Sequence, residues 1–68
     1  MNTKEAVTFV LETEGLSKYA LAKSLDAYPI SVNQWLRGTR MSEPFAELFE
    51  ELYGIKIDDT FRPSNTVS

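Results

Sequence analysis

The sequence predicts an all-α protein, a compact domain of four to five short helices. Apolar residues recur three and four positions apart, residue types that cap helices precede each apolar run, and glycine or proline follows it. A chain of 68 residues has room for one such domain with a small core. The helical pattern fills residues 1–62, and we expect residues 63–68 to form a disordered C-terminal tail.

The chain contains no cysteine and no histidine. Without them, disulfides, thiolate metal sites, the commonest metal ligand and the usual general base are all missing. We therefore expect a protein that is not an enzyme and needs no metal or other cofactor. No apolar run approaches the length of a membrane span, and the N-terminus has no signal-peptide pattern. A cytoplasmic protein without a membrane partner is expected.

The first predicted helix begins at Asn2 or Thr3 and ends near residue 14, just before Gly15. Glu5 follows Asn2 by three positions, as in a capping box. The apolar face of this helix contains Ala6, Val7, Val10 and Leu11. We expect the helix to act as a scaffold behind the next two.

The stretch from Leu16 to Arg40 predicts two short helices meeting at a corner, because its two apolar patterns are out of step for one continuous helix. Ser17 can cap the first helix, and Pro29 ends it and suits the first turn of the second. The second helix therefore runs from about residue 29 to 37, and Gly38 follows where a left-handed cap is needed. The apolar faces of the two helices contain Ala20, Leu21, Leu25, Val32, Trp35 and Leu36.

A fourth helix is predicted from its N-cap, Ser42, to Gly54. The residues expected on its buried face are Phe45, Leu48, Phe49 and Leu52, spaced i, i+3, i+4 and i+7.

A pattern of apolar and small residues surrounds a three-residue turn: Leu21-Ala22, Leu25, Val32 and Trp35. This pattern resembles the helix-turn-helix of the Cro and phage-repressor family, also called lambda-repressor-like. The resemblance covers about residues 3–61 and is strongest over 17–38. It implies a small sequence-specific DNA-binding transcriptional regulator, encoded by a phage or prophage, that acts in the cytoplasm of a bacterial host and places helix 29–37 in the major groove of an operator.

Individual positions agree with the family or depart from it. Ala22 supplies the small residue needed where the two helices touch. Asp26 occupies a turn position where the family usually has glycine, and aspartate adopts the left-handed backbone at a tolerable cost. Lys18 replaces a common glutamine, and Tyr28 replaces the usual Ser or Thr cap of the second helix.

The segment from Ile55 to Phe61 admits two interpretations. Ile55 and Ile57 alternate with Lys56 as in a short strand, which a Cro-like dimer would use for pairing. The same residues resemble the closing element of the repressor family, a brief fifth helix over roughly Asp58 to Phe61. We favour the fifth helix.

The resemblance implies that one face of helix 29–37 reads bases. The candidate base-reading residues are Pro29, Ile30, Asn33, Gln34 and Arg37. The amides of Asn33 and Gln34 have the geometry for bidentate pairing with adenine. Ile30 either touches a thymine methyl group or fills a gap under the turn. Trp35 points the other way and is expected in the core.

Residues on either side of that helix are candidates for phosphate contacts: Lys18, Lys23, Tyr28, Ser31, Thr39 and Arg40. The formal net charge of the chain, −3, is the wrong sign for a polyanionic partner. The charges are segregated, however. Residues 16–41 carry four basic side chains against one acidic one, and the remainder carries three against nine. The positive charge therefore lies on the motif, and the acidic remainder should keep non-specific binding weak.

Two functions remain open from the sequence. The first is the DNA-binding regulator, which would act on a double-stranded operator as a homodimer that pairs on DNA, since one short helix reads too few bases. The second is an adaptor whose helix-turn-helix binds a host protein of transcription or defence. The cluster Tyr28-Pro29-Ile30 and the acidic surface are consistent with that alternative.

Overall fold

The computed structural model describes residues 1–62, so the predicted tail at 63–68 lies outside the described residues. Four helices make up this part of the chain: α1 (Thr3–Glu14), α2 (Lys18–Ser24), α3 (Pro29–Leu36) and α4 (Glu43–Tyr53). Residues 1–62 contain no strand, only one isolated parallel bridge between Ser42 and Phe61. The predicted all-α class is confirmed. Among these four helices, none has the length and apolar character needed to cross a membrane.

The helices begin where local capping signals place them. At α1, the Asn2 side chain accepts a hydrogen bond from the Glu5 amide at 2.8 Å, and the Asn2 amide donates to the Glu5 carboxylate at 3.3 Å. At α2, the Ser17 hydroxyl accepts from the Ala20 amide at 3.0 Å. Pro29 occupies the first turn of α3. Ser42 precedes α4 as predicted, but its side chain forms no capping hydrogen bond.

The corner between α2 and α3 is a tight backbone turn. The Ala27 amide donates to the Ala22 carbonyl at 2.8 Å, and Asp26 has a φ of 56°. Among residues 1–62, Asp26 is the one non-glycine with positive φ, at the turn position where a left-handed backbone was expected.

The core lies where α3 packs against α1 and α2 and where α4 closes over them. Its buried apolar residues are Ala6, Val7, Val10, Leu21, Ala22, Leu25, Val32, Trp35, Met41, Ala46, Phe49 and Ile57. Trp35 is 4% exposed, and its ring meets the Phe45 ring edge-on with 5.7 Å between centroids. The inward position predicted for Trp35 is confirmed.

The buried face of α4 agrees with the predicted one in part: Phe49 is fully buried, and Phe45 and Leu48 are partly buried against the core. Leu52 is 49% exposed, so its predicted burial is wrong. The face is centred on Ala46, Phe49 and Tyr53 instead. The Tyr53 ring packs on Phe49 at 5.2 Å, and its hydroxyl lies 2.6 Å from the Ser24 hydroxyl of α2. Tyr53, which is partly buried, therefore lies nearer the core than Leu52 at the end of α4.

The predicted fifth helix over Asp58 to Phe61 is wrong. Residues 55–61 are irregular, so they form neither the fifth helix nor the alternative strand in the described chain. The acidic residue expected to cap the new helix has another partner: the Asp59 carboxylate accepts from the Thr3 amide at 2.8 Å and from the Thr3 hydroxyl at 2.7 Å. Because Asp59 satisfies an otherwise unpaired amide in the first turn of α1, it is not available to start a helix of its own.

Thr3 links three separate parts of the chain. It is fully buried, and besides donating to Asp59 its hydroxyl accepts from the Met41 amide at 2.9 Å. Asp58 adds a second connection between the two ends, since its amide donates to the Met1 carbonyl at 2.9 Å. The C-terminal segment is therefore fixed to the start of α1 and to the loop before α4.

Candidate nucleic-acid interface

Helix α3 has two distinct faces. Val32 and Trp35 are buried against α1 and α2, whereas Ile30, Gln34 and Arg37 are exposed. Pro29 is exposed too, at the start of the helix. Four of the five side chains predicted to face outward are therefore exposed.

Asn33 departs from that expectation in degree. It is partly buried rather than fully exposed, at the edge of the outward face. Ser31 is also partly buried. Gln34 is therefore the amide with the freest side chain on this face.

The candidate phosphate-binding residues lie on elements that flank α3. Lys18 begins α2, and Lys23 is near its end; both are exposed. Thr39 and Arg40 are exposed in the loop after α3, and Tyr28 is the residue just before it. Side chains with a positive charge or a hydroxyl group therefore lie on both sides of α3, in the segments before it and in the loop after it.

The loop after α3 is held by the end of that helix. The Gly38 amide donates to the Trp35 carbonyl at 3.1 Å, and the Thr39 amide donates to the Gln34 carbonyl at 3.0 Å. Gly38 has a φ of 107°, which a side chain would strain. These contacts fix the backbone of the loop up to Thr39, and so fix the position of the backbone at Arg40 relative to α3.

A second surface lies beside the turn. Tyr28 is 76% exposed and Ile30 is 64% exposed, and the Tyr28 side chain makes no capping hydrogen bond to α3. A shallow cleft next to them is lined by Tyr19, Ala22, Lys23, Asp26, Ala27, Tyr28 and Pro29. This is the cluster that the sequence marks as consistent with protein recognition.

Sequence reasoning did not find the residues that support the loop carrying Arg40. They are Thr3 and Asp59, described above, and Phe61, over whose ring the Arg40 guanidinium lies at 5.8 Å. These contacts join positions 21 to 56 residues apart, and no local pattern in the chain signals them. No group of side chains in residues 1–62 has the composition of a metal site.

The fold and this surface define a class: a small all-helical domain in which two helices meet at a tight turn and the second displays a polar, basic-ended face. The chain is 33% identical over 54 residues to the Repressor protein CI of Enterobacteria phage phi80. Over these residues the chain is similar to a phage repressor, which supports a phage-repressor-like family. The match covers 79% of the chain but spans only 23% of the length of that repressor. No protein-family model matches the chain, and no solved structure matches it.

Proposed function

We propose that the chain is a phage or prophage regulator that binds a double-stranded DNA operator with α3 in the major groove. The observation that carries the proposal is the division of α3 into a buried face and an outward face of Ile30, Gln34 and Arg37. The relative's name, a repressor, supports the same class and a non-enzymatic role. Such a protein would act on DNA in the cytoplasm of a bacterial host.

Base reading would depend on the outward side chains of α3. The Gln34 amide, and Asn33 at the edge, would each donate to and accept from an adenine, and Arg37 could donate two hydrogen bonds to a guanine. Ile30 would make apolar contact with a thymine methyl group, and its 64% exposure supports this role over filling a gap under the turn. Pro29, exposed in the first turn of α3, would contact the base edges nearest the start of the helix.

Phosphate contacts would orient the helix in the groove. Lys18 and Lys23 on α2 would bind one flank and Arg40 the other, while the hydroxyl groups of Tyr28, Ser31 and Thr39 would donate to phosphate oxygens. Because nine acidic groups lie outside the motif, the whole chain should be repelled from DNA that α3 does not fit. Affinity should therefore fall with salt only modestly, because the motif supplies few phosphate contacts, and specificity should be high relative to affinity.

Selection from a random duplex pool tests the proposal. Wild-type protein should enrich a short motif in the presence of excess unrelated competitor DNA, and binding to it should weaken as salt rises. If a folded protein enriches no motif and any shift disappears with competitor, the DNA proposal fails. The adaptor function, which the exposure of Tyr28 and Ile30 favours, would then be tested by substituting those two residues.

Three substitutions should separate base reading from phosphate binding. Gln34→Ala should relax preference at one or two base pairs by about 1–3 kcal/mol, because a bidentate contact is lost. Arg40→Ala or Lys18→Ala should weaken all duplexes alike and reduce the slope of log affinity against log salt by about one. The measurement is fluorescence anisotropy with selected and random duplexes. Lys4→Ala, which removes an exposed charge on α1, is the matched control.

Equal losses on selected and random duplexes for Gln34→Ala would remove that residue from the base-reading set. A salt slope for Lys4→Ala reduced as much as that for Arg40→Ala would show that only net charge matters.

We also propose that two copies bind one operator. One helix from Pro29 to Leu36 spans about half a turn of major groove, so a two-fold pair with its α3 helices about 34 Å apart is needed for a selective site. The exposed acidic residues of α4, Glu47, Glu50 and Glu51, would repel a close contact between these helices. The free chain is therefore expected to be monomeric or weakly dimeric at micromolar concentration and to pair on DNA.

Sedimentation with and without the selected duplex measures this stoichiometry. Two chains per duplex on a near-palindromic motif are expected. Saturation at one chain on a non-palindromic site would contradict pairing and leave the reading role of α3 intact.

A further inference from the structure

Arg40 is held by an aromatic ring from the other end of the chain. Its guanidinium carbon lies over the Phe61 ring, 5.8 Å from the ring centroid. Arg40 itself is exposed, in the loop between α3 and α4, and the Phe61 side chain is 38% exposed. The contact therefore lies on the surface, where a ring and a guanidinium still attract each other.

The backbone of Phe61 is fixed on both sides of that loop. Its amide donates to the Met41 carbonyl at 3.1 Å, and its carbonyl accepts from the Glu43 amide at 2.9 Å. The next residue, Arg62, lies 3.3 Å from the Glu43 carboxylate. The ring is therefore presented to Arg40 by a rigid support and not by a free chain end.

Met41, the neighbour of Arg40, is fixed as well. It is fully buried, and its amide donates to the Thr3 hydroxyl at 2.9 Å. Because the backbone next to Arg40 is fixed, the remaining freedom of Arg40 lies mainly in its long side chain. The Phe61 ring restricts that freedom.

We propose that Phe61 is a positioning residue for DNA binding, acting through Arg40 without contacting DNA; this inference rests on the proposed function. A guanidinium over a ring keeps the N–H donors at its edge free for a phosphate oxygen. Holding it there before DNA arrives reduces the conformational entropy that binding would otherwise cost. The C-terminal segment thus contributes to affinity from outside the helix-turn-helix.

A double-mutant cycle tests this role. Phe61→Leu keeps an apolar side chain and removes the ring, and should weaken binding to every duplex by about two- to fivefold, the size of an exposed contact between a cation and a ring. It should leave the salt slope unchanged, because Arg40 still reaches the phosphate. Phe61→Tyr keeps the ring and should restore wild-type affinity. In the Arg40→Ala background, Phe61→Leu should have no further effect.

Several results would overturn the proposal. Wild-type affinity in Phe61→Leu would show that the ring does not matter, and an equal loss in the Arg40→Ala background would show that Phe61 acts by another route. Thermal melting checks that each variant is folded. If Phe61→Leu does not fold, the ring-current shift of the Arg40 Hδ resonances is measured in wild-type protein with and without the selected duplex: a shift retained in the complex supports the positioning role, and a shift absent from the free protein or lost on binding overturns it.

The experiment distinguishes failure of the positioning role from failure of the proposed DNA-binding function. Folded wild-type protein would then bind no duplex selectively, whereas failure of the positioning role leaves wild-type binding and the Arg40→Ala loss intact.

Discussion

Trp35→Ala is expected to destabilise the domain by about 3–5 kcal/mol, which is comparable to the whole stability of a domain of this size. Trp35 is 4% exposed, lies between the neighbouring helices and meets the Phe45 ring edge-on. Alanine would leave a large cavity on the inward side of α3. Circular dichroism should show a chain that is largely unfolded at room temperature.

Tyr19→Ala is the matched control for loss of an aromatic side chain. Tyr19 is exposed on α2, so its removal should change stability by no more than about 0.5–1 kcal/mol. Native Trp35 fluorescence should be blue-shifted and resistant to iodide. Red-shifted emission that iodide readily quenches would contradict the inward position of Trp35 and reverse the two faces of α3.

Thr3→Val should destabilise the domain by about 2–3 kcal/mol, although it keeps the shape of the side chain. The substitution removes the hydrogen bond to the Asp59 carboxylate and leaves the buried Met41 amide without an acceptor. The free energy of unfolding, measured by urea titration, should fall without a change in its slope on urea concentration.

Thr3→Ser keeps the hydroxyl and is the control for this prediction. It should lose only the small contribution of one methyl group, about 1 kcal/mol. If Thr3→Val is as stable as Thr3→Ser, the hydrogen bonds from Thr3 to the loop and to the C-terminal segment contribute little to stability.

Local signals account for the parts of the fold that the sequence predicted correctly. The caps at Asn2 and Ser17, and the start of α3 at Pro29, each depend on residues within one helical turn. The left-handed backbone of Asp26 was predicted from the resemblance, because Asp26 stands at a turn position where the phage-repressor family usually has glycine. The inward position of Trp35 follows from spacing along a single helix.

Long-range pairing accounts for the errors. The residues predicted as a fifth helix contain a suitable acidic cap, but Asp59 binds Thr3, 56 residues earlier in the chain, instead. Leu52 has the correct spacing for burial, but Tyr53 lies nearer the core, with its ring on Phe49 and its hydroxyl 2.6 Å from that of Ser24. Neither partner can be identified from local periodicity, because each contact exists only after the helices have packed.

The candidate interface, like the fold, was predictable from the sequence where it depends on local pattern and not where it depends on long-range contacts. The outward face of α3 followed from periodicity, and the structure moves only Asn33 to its edge. The support of Arg40 by Phe61 was not predictable, because it joins the motif to a segment 21 residues further along the chain. Roles in reading bases and binding phosphates remain predictions for the experiments above.

The central claim is that the outward face of α3 enters DNA, and an NMR titration of the labelled protein with the selected duplex tests it most directly. The account predicts that the largest amide shifts occur in α3, at the start of α2 and at Thr39 and Arg40, and that a scrambled duplex produces smaller shifts at the start of α2 and in the loop. Exposed residues on the far side, such as Phe9 on α1 and Glu51 on α4, should change little. Shifts centred on α1 or α4, with α3 unchanged at saturation, would contradict it.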